Sequence, residues 1–389
     1  MALHVVLLAL TAFSTTSSRR YLPPNELLIG YATSCPSTNV IPSVKDGVNV
    51  LIWFESSLVV DSGGEPKVST GLNFTCIAAV ANKLAAAEYP TTHMLSIGGW
   101  NAPHPNTSLS GLEWWRVWKA WNTHVVARDG WIGFDGIDWD LEGNDASASP
   151  WNTFTAACLR LVASMSRAAH NDGYIVSLVP PQTYLDPSNA RFDRSLRHVD
   201  VNNWKPDFHY HGWNAYAALL TPELAGPLGS AIYDFVSIQL YESWAPADYA
   251  TIVAMEPPAQ YLSRWAASVN AGWAVAFASG DPTLGIANQT VTVRPSQLVL
   301  GLSRGSGAPP SASAGKSVYF SPETVKSAWE DGRGQSGLAQ RLRGVMWWEI
   351  EIDRGTVNGS TSVSDCRFSA CFGSFIPTRN GSERRACVC

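Results

Sequence analysis

Three acidic residues recur at every second position in one short stretch of this chain. Asp138, Asp140 and Glu142 close the segment Asp135 to Glu142, which reads DGIDWDLE. In an extended strand successive side chains point to opposite faces, so Gly136, Asp138, Asp140 and Glu142 share one face and Asp135, Ile137, Trp139 and Leu141 the other. One face is acidic and the other mostly apolar. If the apolar face packs on a layer of helices, the carboxylates stand on the inner side of the sheet, about 7 Å apart along the strand. Like charges buried at that spacing repel and lose hydration, so at least one proton is held near neutral pH. A carboxyl that keeps its proton there is a general acid. Glu142, the outermost, is the candidate acid, with Asp140 and Asp138 supporting it. The competing picture, a solvated acidic strand edge, would turn Ile137, Trp139 and Leu141 onto the inner face.

A row of this kind needs a sheet to hold it. Eight apolar runs rich in β-branched and aromatic residues recur at wide intervals, beginning near Leu27 (LLIGYAT), Val48 (VNVLIWFE), His93 (HMLSIGG), Gly133 (GFDGIDWDLE), Tyr174 (YIVSLVPPQ), Asp234 (DFVSIQLYE), Gln297 (QLVLGLS) and Gly344 (GVMWWEIE). Amphipathic or loop-like stretches separate them, the arrangement of βα units around a parallel sheet. The fold class predicted is α/β, a (β/α)8 TIM barrel over residues 24–355, with long loop insertions at Thr183 to Tyr233 and Ser243 to Ser296. The same parity puts Ser237, Gln239 and Tyr241 on one face of their run, Ser96 and Gly98 on one face of theirs, and turns Trp348 inward and Trp347 outward. Trp114, Trp115, Trp118 and Trp121 form a helical stripe that reads as core packing rather than a sugar platform, as do Phe154, Cys158, Leu161, Val162 and Met165. Cys158 is the candidate free thiol.

Composition narrows the function classes. With 15% charged residues and a net charge of -5, the 389-residue chain has no dense basic run, so a nucleic-acid partner is not expected. Residues 1–18 carry a short apolar stretch followed by small polar residues, as a signal peptide does, and no membrane span is expected. Five sequons, at Asn73, Asn106, Asn288, Asn358 and Asn380, and seven cysteines fit a secreted glycoprotein with disulfides. Four of those cysteines fall in residues 366–389, so residues 356–389 are predicted to form a small Cys-rich tail. The 17 tryptophans suit either core packing or stacking against sugar rings.

On these residues the sequence resembles glycoside hydrolase family 18, the chitinase family. DGIDWDLE is similar to that family's DGxDxDxE signature at every fixed position, LSIGGW to its SxGG strand, IQLYE to its QxY strand end, and GVMWWEI to its eighth strand with Trp348 at the tryptophan position. The resemblance covers the barrel and not the tail. It implies substrate-assisted hydrolysis with retention, the family's exception to the two-carboxylate scheme. Glu142 would protonate the glycosidic oxygen, and the substrate's own N-acetyl carbonyl would be the nucleophile, giving an oxazolinium intermediate. Asp140 would bind the acetamido N–H, Asp138 would share a proton with Asp140, and Tyr241 would orient the acetamido carbonyl. Trp348 would floor the cleaving subsite. Gln239, Gln182, Trp100 and Ser96 are further candidates for substrate binding, and Trp213 and Trp244 could line subsites. Glu242, also a candidate for the substrate-binding set, departs from the pattern, since the family usually places Asp or Asn after this tyrosine; the longer acid could hydrogen-bond Glu142 and raise its pKa, or turn away.

The substrate implied is chitin or another glycan containing N-acetylglucosamine, cut by a monomer that needs no cofactor and no metal. An endo-N-acetylglucosaminidase acting on N-glycan cores would use the same chemistry, and the loops decide between the two. A non-catalytic chitin-binding lectin on the same fold is the alternative from another class.

Overall fold

The computed structural model describes residues 20–197, 211–241, 245–303, 320–330, 337–353 and 367–378. All eight apolar runs become strands: β1 (Leu27–Ala32), β2 (Val50–Val60), β3 (Thr92–Gly99), β4 (Gly136–Leu141), β5 (Ile175–Leu178), β6 (Phe235–Gln239), β7 (Leu298–Ser303) and β8 (Gly344–Trp348). Each pairs in parallel with the next, and β1 pairs with both β2 and β8, so the sheet closes on itself. The fold is a (β/α)8 barrel.

Strand parity sorts the core into two layers. Ile29, Val50, Met94, Ile175, Phe235 and Met346 fill the barrel interior. The alternate residues, Trp139 and Trp347 among them, face the helices in a larger outer layer. Among the described residues, the α-helices of six or more residues that contribute to that layer or cap it are α1 (Val40–Asp46), α2 (Phe74–Ala86), α3 (Gly111–Trp121), α4 (Ala156–Asn171), α5 (Pro258–Ala271), α6 (Pro322–Glu330) and α7 (Phe368–Gly373). The tryptophan stripe behaves as its spacing requires. Trp114, Trp115 and Trp118 are buried, and Trp115 lies stacked on Trp118 at 5.2 Å. Buried aromatic side chains of this size each hold about 3–5 kcal/mol of stability against truncation. Ser110 starts α3 with a capping box, its hydroxyl facing the Glu113 N–H while the Glu113 carboxylate accepts from the Ser110 N–H. In α4, Cys158 is a buried free thiol.

The tail residues that are described belong to the barrel's outer layer. Phe368 on α7 meets Trp347 of β8 at 5.8 Å, Arg367 pairs with Asp46 at the end of α1, and the Ser369 hydroxyl donates to Asp353 at 2.6 Å. Residues 367–378 therefore complete the packing outside β8 and β1 instead of hanging from it as a separate appendage. A disulfide joins Cys35, after β1, to Cys76 on α2, and Cys371 is also disulfide-bonded.

The long insertions carry small structures of their own. An antiparallel pair, Asp193–Arg197 with His211–Trp213, follows β5, and another, Trp273–Val275 with Gln289–Val291, follows α5. No described helix is long and apolar enough to cross a membrane. The proposed signal peptide, residues 1–18, lies outside the described residues.

Candidate active site

Barrel register sets the site. Ser96 on β3 and Ser177 on β5 are the Cα partners of Asp138 on β4, so three inward polar side chains meet at one level. The Ser177 hydroxyl donates to Asp138 Oδ1, and Oδ2 accepts from Tyr31 of β1 at 2.5 Å and from Ser96 at 3.4 Å. Burial pushes Asp138 up to about 6, against the downward pull of these three hydroxyls. One level higher, Gly98 is the partner of Asp140. Its φ is +110°, and a Cβ there would lie 2.4 Å from the Asp140 carbonyl oxygen, so only glycine lets β3 pass this close.

Glu142 is the first residue beyond β4 and is 5% exposed. Gln239 of β6 reaches across with one amide nitrogen, donating to Val179 C=O at 2.7 Å, Asp140 Oδ1 at 3.0 Å and Glu142 Oε1 at 3.3 Å. Burial raises Glu142 to about 7, and hydrogen bonds with Asp140 and Gln239 offset only part of that. Its second oxygen, Oε2, is buried without a hydrogen-bond partner among the described residues. A protonated carboxyl with a free oxygen at the strand end can give its proton to a group entering from the barrel mouth.

Opposite the acid row the mouth is aromatic. Trp348 is half-buried and rests edge-on against Phe54 of β2 at 4.9 Å and tilted over Tyr31 at 5.8 Å. Tyr241, 7% exposed, lies close enough to Tyr31 to help raise that hydroxyl, behind the larger effects of burial, Asp138 and Asp140. Acid row, amide bridge and aromatic surface therefore share one end of the barrel, the end where the strands finish.

Other candidates stand elsewhere. Ser96 is fully buried level with Asp138, and its hydroxyl donates to that carboxylate. Gln182 is fully buried as well, and both its amide nitrogen and its carbonyl oxygen are bonded away from the acid row. Its Nε2 donates to Asp186 at 2.8 Å and Tyr261 at 2.7 Å, and its Oε1 accepts from the Ala247 N–H at 3.0 Å. That pattern ties the loop after β5 to the loop after β6. Trp100 packs against the outer apolar layer. Trp213 carries the Arg191 guanidinium over its ring at 4.9 Å and borders a separate hollow of about 660 Å³ with Asp186, Tyr249, Tyr261, Arg264 and Trp265. None of the acid row lines it. Glu242 and Trp244 lie outside the described residues.

Sequence reasoning missed several members of the site. Tyr31 and Ser177 had a usable signal, because both sit at inward parity in their strands. His104, whose Nε2 lies 2.8 Å from the Glu142 carbonyl oxygen, and Tyr216, bonded to the Leu141 backbone, come from loops with no period to read.

No protein-family model matches the chain, and no curated protein matches it. Among solved structures the backbone is similar to a family 18 glycoside hydrolase, a chitinase, from Pseudoalteromonas aurantia (15% identity, 84% of this chain and 94% of that one, TM-score 0.49). It is similar also to a family 18 N-acetylglucosaminidase from Paenibacillus barengoltzii (13% identity, 90% and 99%, TM-score 0.47). A third is a xylanase and α-amylase inhibitor protein from Scadoxus multiflorus (15% identity, 90% and 98%, TM-score 0.46).

Proposed function

We propose that this chain is a glycoside hydrolase that cleaves the β-1,4 bond after an N-acetylglucosamine unit, with chitin or its oligosaccharides as substrate, by retaining, substrate-assisted catalysis. The observation that carries this reading is the state of Glu142: buried at the outer end of the acid row, raised to about 7, hydrogen-bonded with Asp140 and Gln239, and with no donor to Oε2 among the described residues. Glu142 gives its proton to the glycosidic oxygen as the bond to the sugar's anomeric carbon breaks. The carbonyl oxygen of the neighbouring acetamido group closes on that carbon, and the resulting oxazolinium is opened by water that Glu142, now ionised, deprotonates. Asp140 accepts from the acetamido N–H and balances its growing positive charge, held in place by Gln239. Tyr241 orients the acetamido carbonyl and Trp348 supports the sugar ring.

The three hydroxyls on Asp138 favour its ionised form and so keep negative charge beneath Asp140. The exposed sequons Asn73 and Asn288 and the Cys35–Cys76 disulfide support a secreted glycoprotein. The test is product analysis by mass and NMR after separate incubation with chitin oligosaccharides, a high-mannose glycoprotein and cello-oligosaccharides. Shorter chitin oligomers released first as the β-anomer are expected, with cello-oligosaccharides untouched. Release of the glycan from the glycoprotein alone would move the substrate to N-glycan cores. Cleavage of cello-oligosaccharides would overturn the acetamido nucleophile, and binding without any cleavage would mark a lectin.

A further inference from the structure

The peptide unit between Asp140 and Glu142 has lost its neighbouring strand. β4 and β5 pair only from Gly136 to Trp139, opposite Ile175 to Leu178, and Val179 N–H adds one last bond to Trp139 C=O at 3.0 Å. Pro180 and Pro181 follow and turn toward β6, where the Pro180 carbonyl accepts from Gln239 N–H at 2.9 Å. The carbonyls of Asp135 and Trp139 accept from Ile175 of β5 and from Val179 just beyond it, so within the strand the backbone groups of Leu141, two residues beyond Trp139, face the side that β5 has left. Leu141 is 1% exposed, and an N–H and C=O buried there need partners.

One hydroxyl supplies both. Tyr216 Oη accepts from Leu141 N–H at 2.6 Å and donates to Leu141 C=O at 2.9 Å. Tyr216 sits in the helical turn Ala215–Leu220 of the insertion after β5, is 1% exposed, and packs on Tyr184 and edge-on against Phe154. Phe154 also stacks on His104 at 4.8 Å, and the His104 Nε2 lies 2.8 Å from the Glu142 carbonyl oxygen. Burial lowers that imidazole to about 4, so it is neutral in the working range and can donate one N–H. The backbone on either side of the acid is thus gripped from the loops by two side chains braced on one phenylalanine.

We propose that Tyr216 is a positioning residue for catalysis: its hydroxyl takes the place of the missing strand at Leu141 and fixes the depth at which Asp140 and Glu142 enter the site. The proposal rests on the reading of Glu142 as the acid. A displacement of about 1 Å in a catalytic group can cost on the order of a hundredfold in rate while binding persists.

The test is Tyr216→Phe assayed on a chitin oligosaccharide beside Ser166→Ala and Glu142→Gln. Ser166→Ala removes another buried bond of β4, the one from Trp139 Nε1 at 2.9 Å, on the outer face of the strand away from the acid row. Expected for Tyr216→Phe is a kcat lower by about ten- to a hundredfold per folded molecule with KM within twofold, while Ser166→Ala keeps its kcat. Placing a ring-fluorinated tyrosine at 216 keeps the shape and weakens the hydroxyl as acceptor, and should lower kcat in the same direction by a smaller factor, even if the phenylalanine variant does not fold. Wild-type kcat in Tyr216→Phe or in the fluorinated protein, or an equal loss in Ser166→Ala, would overturn the proposal. An inactive Glu142→Gln beside a fully active Tyr216→Phe removes the clamp alone, whereas an active Glu142→Gln removes the reading on which it depends.

Discussion

Asp186 and Glu142 are both buried carboxyls raised by burial, and only one of them stands at the end of the barrel strands. Asp186, in the loop after β5, is 1% exposed, and its two oxygens are taken by the Gln182 amide at 2.8 Å and the Ser188 N–H at 2.7 Å, with Arg264 near enough to lower it further. Glu142 is 5% exposed, shares one oxygen with Gln239, and leaves the other without a partner. Burial is common to both and therefore does not make an acid. What differs is that both Asp186 oxygens accept from donors in the fold, while Glu142 Oε2 has no donor among the described residues.

The contrast can be broken at either end. Asp140→Ala should have the largest effect of the substitutions around the acid, lowering kcat/KM by about a hundred- to a thousandfold with the fold retained by circular dichroism. Loss of the folded state would instead make Asp140 a structural residue like Asp186. The pH profile comes next. Glu142 is active while protonated and its value is raised to about 7, so kcat/KM should be level below that pH and fall about tenfold per unit above it. A profile flat to pH 9 would separate the raised value from catalysis. Asp186→Asn should do least to the reaction, leaving kcat and the alkaline limb within about threefold. It should still lower the melting temperature, since an amide there turns N–H toward donors and breaks a buried network by about 1–3 kcal/mol. A shifted alkaline limb in Asp186→Asn would mean that the two regions are coupled.

The same contrast explains what the sequence could reveal. The eight strands and the orientation of Asp138, Asp140, Glu142, Gln239 and Trp348 follow from a period of two, which needs no knowledge of distant residues. Tyr31 and Ser177 obey the same period and were legible in principle. Gln182 could not be placed that way, because its role depends on Tyr261 and Ala247, 79 and 65 residues further along the chain. Tyr216 and His104 are invisible for the same reason: each acts through the backbone of β4 from a loop that carries no repeating pattern. In the described part of the tail, Phe368 and Phe372 pack into the outer core, contacts that composition does not show.

The most direct measurement compares wild type with Glu142→Gln on one chitin oligosaccharide, following turnover and binding together. Glutamine keeps the shape of the side chain and removes the acid. Turnover lower by a factor on the order of a thousand or more, with affinity within a few-fold of wild type, is the predicted result. Turnover within tenfold of wild type would contradict the assignment of Glu142 as the catalytic acid.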